Sequence, residues 1–156
     1  MKRFISVLYR IINPFRKIIR QVFKSHTLGV RAIIFNQENK VLLVKHHYIQ
    51  GWYLPGGGVD KAENFIQALK RELDEELGIS VDKINSLLGI YTNNYELKND
   101  HIAIFVITEF SVTPKQSHEL EEYGYFDLDN LPETISPGTR KRLLEYQKLK
   151  EIDFIW

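Results

Sequence analysis

Glu72, Glu75 and Glu76 place three carboxylates within five residues of chain. Positions three and four apart are neighbours on a helix surface, so in a helix these side chains form one acidic cluster. Like charges at that spacing cost roughly 0.2–0.5 kcal/mol while exposed, and more where burial strips their water. A positive partner is therefore expected. Lys70 and Arg71 reach Asp74 and Glu75 at i,i+4, but they stand N-terminal to the acids, which is the weaker orientation. A hard divalent cation fits better, because a few carboxylates suffice to hold it when waters and substrate phosphates complete its shell. The chain has no cysteine, which removes thiolate metal sites, cysteine nucleophiles and disulfides from consideration.

The element that must carry the cluster is a helix from Asn64 to Leu77, stopped by Gly78 at the C-cap. At about 100° per residue, Phe65, Ile66, Leu69, Leu73 and Leu77 share one apolar arc that must face a core, and Glu72 and Glu76 fall at its edge. Just upstream, Leu54-Pro55-Gly56-Gly57-Gly58-Val59 reads as a strand end running into a glycine turn, where peptide groups can approach a metal or a phosphate closely. Alone the turn says little, for it has neither the GxxxxGK[ST] of a P-loop nor the GxGxxG of a dinucleotide site.

The register between turn and helix says more. From Gly57 the chain runs through five residues to Glu63, then seven to Arg71-Glu72-Leu73-Asp74-Glu75-Glu76-Leu77-Gly78-Ile79. This resembles the Nudix box at every fixed position. Trp52 with Pro55-Gly56-Gly57 before the box, and Tyr125-Phe126-Asp127-Leu128 ahead of Leu131-Pro132, are similar to the rest of a Nudix domain. The resemblance covers residues 27–156 and leaves residues 1–25 aside.

The resemblance implies a divalent-metal-dependent hydrolase that splits a diphosphate bond in a nucleoside diphosphate linked to another moiety, with Mg²⁺ as cofactor and Mn²⁺ as the alternative ion. It makes Glu72, Glu76 and the carbonyl of Gly57 metal ligands, Glu75 a further ligand or a base acting through water, and Glu63 with Arg71 a structural ion pair. In several Nudix enzymes the base lies outside the box, in a loop before the last strand. Here that loop contains Glu119, our candidate, with Glu121 and Glu122 as alternatives. Trp52 or Tyr53 could stack on a base, and Tyr95 stands where dinucleoside polyphosphate hydrolases carry a tyrosine. Asn93 and Asn94 occupy the place of the proline associated with ADP-ribose hydrolases. A second reading is a Nudix-like nucleotide-binding or regulatory module, weak in turnover and attached through its N-terminal arm. Such modules usually show a broken acidic set, and this set is intact.

Around the box, Leu28–Phe35 and Val41–Val44 read as a hairpin across Asn36–Asn39, and Leu87–Tyr95 with His101–Phe110 as a second strand pair. A short strand fits Tyr123–Phe126. A last helix fits Pro137–Lys150, with Ser136 as N-cap and Pro137 at the first helical position. The expected class is α/β (α+β): a Nudix fold with a mixed sheet between helices, plus an added arm. His46 and His47, after the second strand, read as surface residues rather than ligands.

At 156 residues and 44% hydrophobic content the chain is one domain's worth of core. Its net charge of +1 conceals a division: residues 1–25 hold seven of the 21 basic residues and no acid, which leaves 14 basic against 20 acidic residues in the body. An acidic body argues against broad nucleic-acid binding. The arm reads as two short amphipathic helices with Ile18, Ile19, Val22 and Phe23 on the apolar side. It would pack on the domain, on a second copy in a homodimer, or on an anionic membrane surface. No run reaches the roughly 18 apolar residues of a membrane span, and no small-residue cleavage site precedes Asn13-Pro14. The expected location is cytoplasmic, with a peripheral membrane contact open through the arm.

Overall fold

The computed structural model describes residues 27–93, 100–115 and 117–156; the arm 1–25 and Tyr95 lie outside the described residues. In chain order these residues form β1 (Thr27–Ile34), β2 (Val41–His46), α1 (Phe65–Leu77), β3 (Ile79–Asn93), β4 (Asp100–Val112), β5 (Leu120–Phe126) and α2 (Pro137–Tyr146). β4 lies between its neighbours, parallel to β1 and antiparallel to β3, and β2 pairs antiparallel with β5. No described helix is long and apolar enough to cross a membrane.

Side-chain alternation along a strand sends successive residues to opposite faces, and both faces are buried here. Val30, Ala32 and Ile34 of β1 pack with Leu42 and Val44 against Leu69, Leu73 and Leu77 of α1. Ile33 and Phe35 pack with Val41, Leu43, Ile104 and Val106 against Leu143 of α2. The result is the expected mixed sheet structure covered by one helix on each side. Leu69 and Leu73 are fully buried, and truncating either to alanine would cost about 2–5 kcal/mol.

α1 begins and ends by local chemistry. Asn64 accepts the amide of Gln67, Gln67 returns a side-chain oxygen to the amide of Asn64 at 3.0 Å, and Gly78 closes the helix at φ 65°. α2 starts on Ser136, whose side chain accepts the Thr139 amide, with Pro137 in the first turn.

Two expectations need correction. β1 and β2 do not form a hairpin ladder. Backbone pairing between the two is limited to the turn, at the Phe35–Val41 bridge and the Asn36 N to Lys40 O bond, because the edges of both strands are filled by other segments. β1 has β4 on one side and the glycine turn on the other, with Val30 N donating to Gly57 O at 2.9 Å and Ala32 N to Pro55 O at 3.0 Å. β2 has β5 on one side and exchanges two 2.9 Å bonds with Tyr53 on the other. The second correction concerns β3, which begins at Ile79 directly after the helix rather than at Leu87. Its first half zigzags against β4 through repeated register shifts, and this blurs the alternation that marks a strand.

Candidate functional site

The glycine turn is laid along the edge of β1, and α1 lies across it. Gly56 has φ 126° and Gly57 stands against Glu72, so that a Cβ on Gly56 would strike the Val30 carbonyl and one on Gly57 would overlap the Glu72 carboxylate. Only glycine fits either position, and its absence of side chain is what lets the helix carboxylates reach the turn. Glu76 Oε2 accepts the Gly56 amide at 3.0 Å. The Gly57 carbonyl accepts the Val30 amide, so one of its two lone pairs remains for another partner.

Arg71 ties the turn to the helix. Its Nε and Nη2 hold the two oxygens of Glu63 at 2.8 and 2.9 Å, Nη2 also donates to Gly58 O, and Nη1 reaches Glu72 at 2.9 Å and Glu75 at 3.3 Å. Glu63 is pushed down to about 2, first by its hydrogen bond from Arg71 and then by the Asp60 amide. The expected Glu63–Arg71 pair is thus present as a bidentate clamp.

Charge is under strain at the other two acids. Burial raises the Glu72 pKa, against the opposing effect of Arg71. Burial also pushes Glu76 up to about 7, offset by the Gly56 amide and Arg31 and reinforced by Glu72 and Glu119. Two carboxylates thus stand one helical turn apart beside the glycine turn, and burial disfavours the charged form of both. Among the described residues no group of three or more histidine, aspartate or glutamate side chains is placed to hold a metal ion. Glu75 is the most exposed of the three box acids and is held toward Arg71.

Outside the box, Glu119 is near enough to Glu76 to add to its repulsion, and its carbonyl accepts the His47 amide at 3.1 Å, which fixes the loop to the end of β2. Glu121 and Glu122 turn instead to Lys45, at 3.7 and 3.9 Å. Of the three acids considered for this loop, Glu119 is the one whose charge is felt at Glu76.

Two further expectations are corrected. Trp52 is buried on the α2 side, edge-on to Phe126 at 4.9 Å, so it is a core residue and not a stacking platform. The neighbouring Tyr53 faces the α1 side. His46 is no surface residue: it is 6% exposed, opposite Leu120 across the β2–β5 ladder and beside the rings of Tyr48 and Tyr53. His47 does lie exposed. Arg31 lowers the pKa of Glu72, Glu76 and His46 together, and as a lone arginine in an apolar strand it carries no spacing signal in the sequence.

The family model described as NUDIX domain matches residues 25–146. An ADP-ribose pyrophosphatase of Methanocaldococcus jannaschii is 33% identical over 122 residues, which is 75% of this chain and 71% of that protein. An RNA pyrophosphohydrolase of Pelagibacter ubique is 30% identical over 128 residues, covering 69% of this chain and 80% of the other. Among solved structures, a MutT NUDIX hydrolase from Burkholderia pseudomallei superposes with a TM-score of 0.67 at 29% identity, over 76% of this chain and 96% of that one.

Proposed function

The chain belongs to the Nudix family and is a pyrophosphohydrolase, and on that premise we propose that it hydrolyses, with Mg²⁺, the diphosphate bridge of a nucleoside diphosphate joined to another moiety. The observation that carries this reading is the approach of Glu72 and Glu76, both desolvated, to the Gly56-Gly57 peptides.

Divalent-metal dependence goes with the family. Here Glu72 and Glu76 would hold the ion, with Glu75 and the free lone pair of the Gly57 carbonyl as further ligands. A bound divalent ion neutralises phosphate oxygens and acidifies water. The chain's own residues do the rest. Glu119 accepts the proton of the attacking water as its oxygen bonds to phosphorus and the bridging P–O bond breaks. Arg71, locked onto Glu63 and Gly58, keeps the turn at a fixed distance from the helix, so that the acids meet the substrate already aligned. Trp52 has no part in this. Tyr95, outside the described residues, stays a candidate for the base-stacking contact.

A screen of nucleoside triphosphates, ADP-ribose, dinucleoside polyphosphates and 5′-triphosphorylated RNA, with Mg²⁺ and with EDTA, tests the reading. Metal-dependent release of a nucleoside monophosphate or of pyrophosphate from at least one class is expected. A folded chain inert toward all of them would support the alternative of a binding module.

A further inference from the structure

The sheet face that carries α1 is left open at one end. Residues paired across strands share a face, and one row runs from Leu28 of β1 through His101 of β4 and Thr92 of β3 to Ile155 of the C-terminal segment. That segment lies along the outer edge of β3, with Thr92 N donating to Phe154 O at 2.8 Å and Trp156 N to Thr92 O at 3.0 Å. The pairs Ala103–Ile90 and Phe105–Leu87 continue the same face, because Ala103 and Phe105 pack in the cluster under α1. Alternation sends Tyr91 to the α2 side, where its ring lies 6.4 Å from those of Phe154 and Trp156. Leu28, Leu87, Ile90 and Ile155 are thus left on one face, between 44% and 60% exposed.

The arm ends at the margin of this face. Thr27 opens β1 opposite Asp100, and only Lys24, Ser25 and His26 separate it from Phe23. Three residues reach roughly 10 Å, about the thickness of a helix. On a helical wheel Phe15, Ile18, Ile19, Val22 and Phe23 share one arc, and Arg16, Lys17, Arg20 and Lys24 fall on the opposite one. A helix over residues 14–23 would be about 15 Å long, which matches the roughly 14 Å of three strand spacings from Leu28 to Ile155. Charge favours the same seat, for residues 1–25 hold seven basic residues and no acid against a body of 14 basic and 20 acidic residues.

We propose that Leu28, Leu87, Ile90 and Ile155 seat the apolar side of the arm of the same chain, laid across the strands with its basic side outward. The contact removes from water two apolar surfaces that are otherwise exposed. The short tether selects the chain's own arm over that of a second copy, because it holds the arm near its seat at an effective concentration in roughly the millimolar range. Seated in this way the arm offers an anionic surface Arg16, Lys17, Arg20 and Lys24 but no apolar stripe, so a lipid contact through it is ionic and weakens in salt.

The full chain has no cysteine of its own, so an introduced pair reports on this contact alone. Ile18→Cys with Ile90→Cys should close a disulfide within one chain under mild oxidation. It should do so at least about tenfold faster than Ile18→Cys with Leu149→Cys, because Leu149 is exposed beyond α2, which covers the other face. Equal rates for the two pairs overturn the assignment. A disulfide that joins two chains gives the seat to the arm of a second copy, and one that phosphatidylserine vesicles abolish gives the apolar stripe to lipid; either result also overturns it. Trypsin supplies a second reading, since it cuts after the arm's own lysines and arginines. Leu87→Ser with Ile90→Ser, both at exposed positions, should speed cleavage after Arg16, Lys17 and Arg20 at least about fivefold by populating the released arm, while Leu149→Ser leaves it unchanged. Equal cleavage of the arm in the parent and in the Leu87→Ser/Ile90→Ser chain overturns the proposal as well.

Discussion

The Glu76 carboxylate accepts the amide of Gly56 at 3.0 Å, across twenty residues of chain. Helix and turn are joined there by the same group that would hold the cation. Glu76→Gln keeps the shape and an acceptor oxygen but removes the charge, so the fold should persist while the hold on a developing phosphate charge weakens. Turnover should fall at least about a hundredfold. Steady-state rates at saturating Mg²⁺, beside a circular dichroism spectrum, measure this, and unchanged turnover in a folded variant would refute the ligand role.

Glu119→Gln should behave differently. The residue sits close enough to Glu76 to repel it, yet it is carried by a separate loop. As the proton acceptor it should contribute about 10²- to 10⁴-fold to the rate and little to metal affinity. Rate and Mg²⁺ affinity measured on the same variant separate base from ligand. A fall in affinity at constant rate would make Glu119 a ligand, and no change in either would return the role to Glu75.

Much of this site was legible in the sequence because its determinants are local or fixed in register. The box spacing located Glu72, Glu76 and the Glu63–Arg71 clamp, and the caps at Asn64, Gly78 and Ser136 are side-chain or backbone bonds within a few residues. What stayed hidden depends on pairing between distant segments. The turn after β1 suggested a hairpin, but the choice was made by β4 and by Pro55–Val59, which compete for the same edges. Trp52 and Tyr53 are adjacent and face opposite ways, so composition could not say which was core. Arg142 lies in the polar run Thr139-Arg140-Lys141-Arg142, where nothing in the local pattern marks it, and it is fully buried.

That arginine carries a stability prediction. Its Nη2 meets Glu145 at 2.8 Å, its Nη1 meets the Ile155 carbonyl at 2.9 Å, and its guanidinium covers the Tyr91 ring at 4.1 Å. Tyr91 in turn donates to Glu145 at 3.0 Å. Arg142→Ala strands the Glu145 carboxylate in the interior and should cost about 3–5 kcal/mol. Replacing both partners, Arg142→Met with Glu145→Leu, should recover most of that loss, because no buried charge is left without a partner. Urea unfolding of the two variants checks the order; a double variant as unstable as the single would locate the cost in packing instead.

Acid stability should reveal two opposed groups. Burial, with Arg31 and His47, holds His46 down to about 4, against 6.5 for the free side chain. The folded state therefore binds fewer protons there than the unfolded chain, and His46 makes stability fall as pH drops through that window. Glu76, raised from 4.5 to about 7, acts in the opposite sense without metal: the folded state binds more protons, and stability falls as pH rises. The parent should be nearly flat where the windows overlap. Glu76→Gln should unmask a stability that climbs with pH by up to roughly 3 kcal/mol, and His46→Gln should leave the reverse slope. Urea midpoints in EDTA across these windows decide it, and slopes of the same sign in both variants would contradict the opposed burial effects.

The arm remains the least ordinary part of the sequence, with seven basic residues and no acid in positions 1–25. We expect its deletion to leave a folded hydrolase, since the described strands and helices, from Thr27 onward, already supply both faces of the core. What should disappear is an association, either with anionic lipid or with a second copy of the chain. The two differ in their response to salt. A basic residue near an anionic surface contributes about 1 kcal/mol, and that attraction is screened as ionic strength rises. Burial of Ile18, Ile19, Val22 and Phe23 against protein would survive the same change. Sedimentation with phosphatidylserine vesicles at low and high salt, together with the solution molar mass of full-length and truncated chains, separates them. Binding that vanishes in salt points to lipid, and a mass that halves on truncation points to a dimer. An insoluble or unfolded truncation would place the arm in the core and end both readings.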